Sequence, residues 1–201
     1  AIVEIGDQLW MAENLKVTHY RNGDEIPTGY SNSEWTNLST GAYAVYDYNE
    51  SNADTYGYLY NWYAVETGNL APEGWHVPTD EEIMELEVNL GMSWGEAHGT
   101  GYRGTNEGSK LAGRADLWQD GLLRNNSEFG NSGFTALPGG YRDGAGYYYH
   151  MGNYSDFWSS TYYNSYRAWS REIRYVNSAV YRGDGGDGKE NGFSVRCVKD
   201  P

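Results

Sequence analysis

Three carboxylates near the end of the chain have the residue types and spacing that could hold a metal ion. Asp184, Asp187 and Glu190 recur every three residues in a glycine-rich stretch, and Ca²⁺ prefers oxygen ligands of this kind on a flexible loop. The stretch lacks the alternate-residue acidic pattern of an EF-hand, and a solvated acidic turn would have the same composition. The sequence therefore leaves two interpretations open, a Ca²⁺ site over these three residues and a solvated turn.

The residues that enzymes use as nucleophiles are scarce. Cys197 is the only cysteine, and the alternating apolar residues around it predict a buried strand residue rather than an exposed, reactive thiol. A single cysteine excludes an intrachain disulfide and a zinc site built from several cysteines. The four histidines, at positions 19, 76, 98 and 150, are far apart in the sequence and form no pair at helical spacing. We therefore expect a non-enzymatic protein.

The segment from residue 147 to residue 190 has the chemistry of a binding surface. Tyrosine, serine, asparagine, glycine and arginine dominate it, and such residues combine rigid rings with adaptable hydrogen bonding. Alternation along the strand predicted at 167–175 directs Ile173 inward and Glu172 and Arg174 outward. We predict one exposed ligand-binding patch formed by Tyr162, Tyr163, Asn164, Tyr166, Glu172, Arg174, Asn177, Tyr181, Asp184 and Asp187. The alternative is that these tyrosines form the aromatic core.

Composition narrows the classes of partner. The chain of 201 residues has 28 acidic and 14 basic residues and a formal net charge of −14. Nucleic-acid backbones require a basic footprint, so DNA and RNA are not expected partners. No apolar run is long enough for a transmembrane helix, so direct membrane insertion is not expected either. With 20 tyrosines, 8 tryptophans and 27 glycines, the core must depend on wide aromatic rings joined by irregular loops.

The clearest predicted element is a helix after Pro78. Thr79 is a good N-cap, Glu82 completes a capping box, and Leu86 lies in the apolar periodicity that continues to Leu90. Strands are predicted at 157–161, 167–175, 179–182 and 193–198, and residues 2–10 form a hairpin that turns at Gly6. Together these patterns predict a single α+β domain over residues 1–201, with a small twisted antiparallel sheet, one main helix at about residues 79–90 and long loops.

Several segments, taken in their order and spacing, resemble a bacterial family, the Fibrobacter succinogenes major paralogous domain. They are Ile5–Gln8 with Trp10–Leu15, Tyr58–Val65, Ala71–Thr79, Phe134–Arg142, Phe157–Thr161 and Gly192–Val198. The resemblance implies a fold related to C-type lectins and to the formylglycine-generating enzymes, and a secreted or lipid-anchored location. Many members carry a cysteine at the position of Ala71 that can pair with the counterpart of Cys197, and this chain lacks that partner.

The leading expectation for function is recognition of a protein or carbohydrate at a cell surface. The composition of residues 147–190 also resembles the variable region of lectin-fold proteins that are diversified by retroelements. Two alternatives remain: a structural module of a surface adhesin or lipoprotein assembly without its own ligand, and an enzyme of the formylglycine-generating type. Exposure of Tyr162, Tyr163, Tyr166 and Tyr181 separates recognition from a structural role. An enzyme would need a pocket in which titratable groups converge.

Overall fold

The chain begins with the predicted hairpin. The computed structural model describes residues 1–201, and its first two strands pair antiparallel, with Ile2 opposite Met11. Gly6 lies in the turn at a φ of +60°, a conformation that glycine adopts without steric cost. The sequence pattern of a strand, a Gly-Asp turn and a returning strand is therefore confirmed.

The fold as a whole is α+β, with mostly antiparallel strands and short helices. The strands are β1 Ile2–Ile5, β2 Gln8–Met11, β3 Tyr43–Ala44, β4 Leu59–Asn61, β5 Trp75–His76, β6 Gly101–Arg103, β7 Tyr141–Arg142, β8 Tyr148–Tyr149, β9 Tyr154–Tyr162, β10 Arg167–Arg174, β11 Val180–Arg182, β12 Asp187–Gly188, β13 Gly192–Phe193 and β14 Val198–Lys199. The helices are α1 Asn32–Thr36, α2 Glu50–Tyr56, α3 Trp62–Glu66, α4 Asp80–Asn89, α5 Trp94–Ala97 and α6 Glu107–Leu111, with a 3₁₀ turn at Tyr46–Tyr48.

Helix α4 begins where its capping box predicts. The Thr79 hydroxyl accepts from the backbone N–H of Glu82 at 3.2 Å, and the Glu82 carboxylate accepts from the backbone N–H of Thr79 at 2.7 Å. The expectation of one main helix is not shown, however, because five further helices of four to seven residues accompany α4. Two of these begin with the same capping box, at Ser31 and at Ser93, and this signal was present in the sequence.

The strands form three sheets rather than one small sheet. The first has the order β1-β2-β14-β5, and the third has the order β3-β4-β13-β7-β8. The second is a five-stranded sheet of β6, β9, β10, β11 and β12, which we call the central sheet. The strand predicted at 193–198 is split, because β13 pairs in the third sheet while β14 pairs in the first. A stretch that passes from one sheet to another cannot keep one set of ladder partners.

The two main hydrophobic clusters pack on opposite faces of the central sheet. Phe157 and Ile173 belong to the cluster that includes α4, whereas Trp158 and Ala168 belong to the other. This division follows from the alternation of side chains along β9 and β10. We call the first face the helix face and the second the pocket face.

Cys197 lies in the cluster on the pocket face, together with Ala71, and its thiol is free. The side chain is fully buried, and burial raises the pKa of the thiol to about 12. The residue is therefore a small apolar core residue, as expected, although it follows β13 rather than lying within a strand.

Candidate functional site

The central strand β10 aligns several polar residues across the pocket face. It pairs with β9 along one edge and with β11 and β12 along the other. Glu172 lies between Asp156 of β9 and Tyr181 of β11, and Tyr181 in turn lies opposite Tyr102 of β6. Directly paired residues project to the same side of a sheet. A continuous row of two carboxylates and two tyrosines therefore crosses the sheet.

A pocket of about 290 Å³ opens over this row, and we call it the acidic pocket. Of its nine lining residues only Tyr181 is hydrophobic. They are Asp156, Ser170, Glu172, Arg174, Tyr181, Gly183, Asp184, Gly186 and Asp187. The pocket therefore brings together Glu172, Arg174, Tyr181, Asp184 and Asp187, which are half of the predicted ligand-binding patch.

Asp156 is the most unusual residue of the acidic pocket. Its residue surface is 4% exposed, and its Oδ2 atom is buried without a hydrogen-bond partner. Burial, followed by the negative charges of Glu172 and Asp187, raises the pKa of the Asp156 carboxyl well above its usual value. A buried carboxylate normally has a partner, because an unpaired charge away from water is costly. Asp156 therefore has unused capacity to bind a ligand.

The neighbouring carboxylates are also shifted toward the protonated form. Burial raises the pKa of Glu172, against the opposing effect of Arg174. Burial likewise raises the pKa of Asp187, against the opposing hydrogen bond from the Ser170 hydroxyl. Three acidic groups in one pocket thus resist ionisation, as expected when like charges are held close together away from water.

Arg174 is the one cation that lines the acidic pocket. Its guanidinium pairs with the Glu172 carboxylate and lies 4.7 Å from the ring centre of Tyr181, 5.0 Å from that of Tyr154 and 5.6 Å from that of Tyr102. Rings at these distances attract a cation through their quadrupole. Arg174 is therefore held in place on one side of the pocket, and its hydrogen bond goes to Glu172 rather than to Asp156.

Next to the acidic pocket, the turn between β9 and β10 carries exposed rings. Tyr162, Tyr163 and Tyr166 are 67%, 46% and 80% exposed, and with Asn164 they form what we call the tyrosine tip. The Asn164 side-chain oxygen accepts from the backbone N–H groups of Tyr166 and Arg167 at 2.8 and 3.0 Å, which fixes the turn. Of the four tyrosines predicted to be exposed, these three are exposed, whereas Tyr181 is half-buried because its ring packs against Tyr102 and Arg174.

The tyrosine tip and the acidic pocket adjoin each other. A methyl group added at Gly186 would lie 3.2 Å from Cβ of Tyr163 and 2.6 Å from the carbonyl oxygen of Ala168. The loop that supplies Asp184 and Asp187 to the pocket therefore packs directly against the tip. Close approach at Gly186, which also has a φ of +68°, explains why glycine occupies this position.

Other predicted site residues lie apart from this surface. Asn177 follows the far end of β10, where its side-chain oxygen accepts from the backbone N–H of Ala179 at 2.9 Å. The Glu190 side chain is directed toward Gly144 and Gly188. No three or more His, Cys, Asp or Glu side chains are grouped so that they could hold a metal ion. The Ca²⁺ site over Asp184, Asp187 and Glu190 stays a prediction.

The sequence did not indicate Asp156, which lies one residue before the strand predicted at 157–161 and is the third residue of the strand as observed, Tyr154–Tyr162. Its position opposite Glu172 depends on the register between β9 and β10, which is broken between Ala168 and Ser170 and which no local pattern specifies. Ser170, which hydrogen-bonds Asp187, lies two residues before Glu172 on the same face of β10 and was not among the predicted site residues.

The helix face of the same sheet carries a second charged group, which we call the buried ion cluster. Its members are Asp80, Glu87, Arg103, Arg171 and Arg182. Arg103 donates to both oxygens of Glu87 at 2.8 and 2.7 Å. Arg171 joins the two acids, donating to Glu87 at 2.8 Å and to Asp80 at 2.6 Å. The other oxygen of Asp80 accepts from Arg182 at 2.6 Å.

The acids of the buried ion cluster are shifted toward the ionised form. Burial alone would raise the pKa of Asp80, but the charges of Arg171 and Arg182 and their hydrogen bonds outweigh it and hold the pKa below its usual value. The same balance lowers the pKa of Glu87 between Arg171 and Arg103. Every carboxylate oxygen in this cluster accepts from an arginine. We therefore attribute a structural role to the buried ion cluster.

The arrangement at the acidic pocket permits two kinds of chemistry. Carboxylates that share a pocket with one arginine can bind a cationic group, and a carboxyl with a raised pKa can act as a general acid. Pockets that bind small molecules are mostly apolar with a few polar groups, whereas this pocket has almost wholly polar walls. The composition of the walls therefore favours binding of a charged group.

The fold and site together define the class of protein: an α+β protein whose mostly antiparallel central sheet presents an acidic pocket. None of its helices combines the length and apolar composition needed to cross a bilayer. The chain belongs to the Fibrobacter succinogenes major domain family, whose model matches residues 3–199, as the resemblance of its segments indicated. Comparison with curated proteins and with solved structures returned no match.

Proposed function

We propose that this protein is a non-enzymatic recognition domain with a C-type-lectin-like fold, carried by a secreted or surface-attached bacterial protein. Its partner is a protein or carbohydrate at a cell surface, and its binding surface is the tyrosine tip together with the acidic pocket. The observation that carries this proposal is the exposure of Tyr162, Tyr163 and Tyr166, since buried rings would have made them core residues.

The position of the tyrosine tip supports this function. It joins two strands that pair from Tyr154 with Arg174 to Tyr162 with Ala168, so its supporting backbone is already ordered. A preordered surface loses less conformational freedom when it binds. Tyrosine rings also contribute large contact areas with few rotatable bonds. The tip therefore has the two properties that favour energetically dominant contacts.

An enzymatic function is the second candidate, because the acidic pocket contains converging carboxyl groups with raised pKa values. Two features favour recognition instead. The only thiol, Cys197, is buried, which disfavours thiol chemistry of the formylglycine-generating type. The pocket also offers little apolar wall to exclude water from a reacting substrate.

The proposal predicts that the tyrosine tip dominates the binding energy. Once arrays of proteins and glycans have identified a partner, Tyr163→Ala and Tyr166→Ala should each weaken binding by about 1 kcal/mol or more, because hot spots favour tyrosine. Titration calorimetry would measure the affinity, and thermal melting would check that the variants fold. Tyr147→Ala is the matched control, since Tyr147 is 53% exposed outside the predicted patch.

Two results would contradict the proposal. Equal affinity of the tip variants and the Tyr147→Ala control would remove the tyrosine tip from the binding surface. Failure of the arrays to yield any partner would favour the structural module, which has no ligand of its own.

A further inference from the structure

The charges of the acidic pocket do not balance. Four carboxylates line it, those of Asp156, Glu172, Asp184 and Asp187, against the single guanidinium of Arg174. Arg167 acts on Asp187 from outside the lining. Even when both arginines are counted, the acids exceed the bases by two, and Asp156 has an oxygen without any partner. An acidic excess of this kind in a concave site attracts positive charge.

The hydrogen bonds within the acidic pocket do not satisfy Asp156. Glu172 is paired with Arg174, and Asp187 accepts from Ser170. Asp156 lines the pocket and is only 4% exposed. Its Oδ2 atom has no hydrogen-bond partner. No N–H or hydroxyl donor of the chain reaches that oxygen, although the carboxyls of Asp156 and Glu172 lie within hydrogen-bonding distance of each other.

We propose that the acidic pocket receives the ammonium or guanidinium head of a lysine or arginine side chain presented by a protein partner. The cation would donate hydrogen bonds to the Oδ2 atom of Asp156 and to the carboxylate of Glu172, which lie at paired positions of β9 and β10, and Asp187 would complete the polar wall. This inference rests on the proposed recognition function and names the ligand chemistry of its site.

The dimensions and walls of the pocket favour a single side chain over other occupants. Its volume of about 290 Å³ lies at the lower end for ligand pockets, about 300 to 1,000 Å³. A long side chain can place its charged head beside buried Asp156 while its aliphatic stem lies along the ring of Tyr181. An amino sugar carries its ammonium directly on a wide ring and lacks such a stem. The carboxylates are not grouped as metal ligands either.

Titration calorimetry with small probes tests the inference without a known partner. Nα-acetyl-lysine methylamide and Nα-acetyl-arginine methylamide represent protein side chains, glucosamine represents an amino sugar, and CaCl₂ represents a metal. We expect at least one of the two amino-acid probes to bind at pH 7.5 more tightly than glucosamine or CaCl₂. Asp156→Asn should weaken that binding by about tenfold or more, because a charge-assisted contact is lost. Asp54→Asn, at an exposed ion pair with Lys16, is the control and should bind as the unmodified chain does.

The affinity should also fall as the pH is lowered, because the carboxyls must be ionised to hold the cation. The charged and titratable groups that face Asp156 are Glu172, Arg174 and Asp187, together with Tyr141 and Tyr154. Among these, the acids are the groups whose protonation removes negative charge as the pH falls. Binding at pH 5 that equals binding at pH 7.5 would count against the carboxylates as the binding groups.

Each remaining outcome overturns the inference in a distinct way. Tighter binding of CaCl₂ would identify a metal site, and tighter binding of glucosamine would identify a carbohydrate partner. No binding of any probe, or equal binding by Asp156→Asn, would show that the pocket holds no cation. The tyrosine-tip variants separate this failure from a failure of the proposed function. If Tyr163→Ala and Tyr166→Ala still weaken binding of the partner found by arrays, the recognition function is supported and only the proposed chemistry of the pocket is wrong.

Discussion

The two faces of strand β10 carry charged residues in opposite circumstances. On the helix face, Arg171 lies between Asp80 and Glu87, and all of the carboxylate oxygens of these acids accept from arginines. On the pocket face, the next residue, Glu172, lies opposite another acid, Asp156, which has an unpartnered oxygen. Adjacent residues of one strand thus contribute to a cluster in which every carboxylate oxygen accepts from an arginine, although Nε of Arg103 has no partner, and to one in which a carboxylate oxygen is unpaired.

This difference separates charges that serve the fold from charges that are available for a ligand. A buried ion pair with complete hydrogen bonding is strongly destabilised when one partner is removed. Like charges at directly opposed positions of a sheet are destabilising while both remain. Removing charge should therefore have opposite effects on stability at the two faces, and the following predictions test that contrast.

The largest effect is expected at Glu87, which is fully buried and joins two arginines. Glu87→Gln keeps the shape of the side chain but leaves the guanidiniums of Arg103 and Arg171 short of negative charge. We expect the free energy of unfolding to fall by about 3–5 kcal/mol. Urea denaturation at pH 7 would measure it. Asp116→Asn, which removes an exposed pair with Arg114, should leave the unfolding free energy almost unchanged, because water and salt screen exposed pairs. A loss at Glu87 as small as this would contradict the structural role of the buried ion cluster.

A smaller effect is expected at Thr79, which caps the helix that carries both acids of the buried ion cluster. Thr79→Ala removes the hydroxyl that accepts from the N–H of Glu82 and should cost about 0.5–2 kcal/mol. The same urea experiment applies. Thr79→Ser retains the hydroxyl and should recover most of the stability. An unchanged denaturation midpoint in Thr79→Ala would mean that the capping box contributes nothing.

Local sequence patterns predicted much of the helix face. The capping box located α4, and alternation placed Ile173 inward with Glu172 and Arg174 on the other face. The buried ion cluster was not predicted, because Asp80 and Arg182 are brought together only by the fold, 102 residues apart in the sequence. No periodicity links residues at such separations.

The candidate site was predicted in part for the same reason. Tyrosine-rich composition identified the exposed tip, and the glycine-rich acidic stretch supplied Asp184 and Asp187. Asp156 was missed because its role depends on its register against Glu172, and a break in that register between Ala168 and Ser170 could not be deduced from local sequence. Asn177 was included because of its residue type, although it lies beyond the far end of β10.

The last prediction concerns Asp156, where the expected change in stability is smallest and has the opposite sign. Asp156→Asn removes a buried carboxyl that must either ionise beside the opposed Glu172 or stay protonated, so we expect the unfolding free energy at pH 7.5 to increase by about 0.2–1 kcal/mol. Because the pKa of Asp156 is raised in the folded protein, the folded state holds its proton more tightly than the unfolded chain does. This carboxyl therefore lowers the unfolding free energy only above about pH 4, the usual pKa of aspartate. The loss of stability grows as the pH rises toward the raised pKa of Asp156 in the folded protein.

The increase in unfolding free energy caused by Asp156→Asn should accordingly disappear when urea denaturation is measured below about pH 4. Asp80, whose pKa is lowered, has the reverse dependence: its contribution is present above the ordinary pKa and is lost as the pH falls through the lowered one. Asp80→Asn should thus be most destabilising at neutral pH, where Asp156→Asn is most stabilising. If Asp156→Asn instead destabilises the protein at pH 7.5, its carboxylate has a partner within the chain, and the two faces of β10 do not differ in the way that their hydrogen bonds indicate.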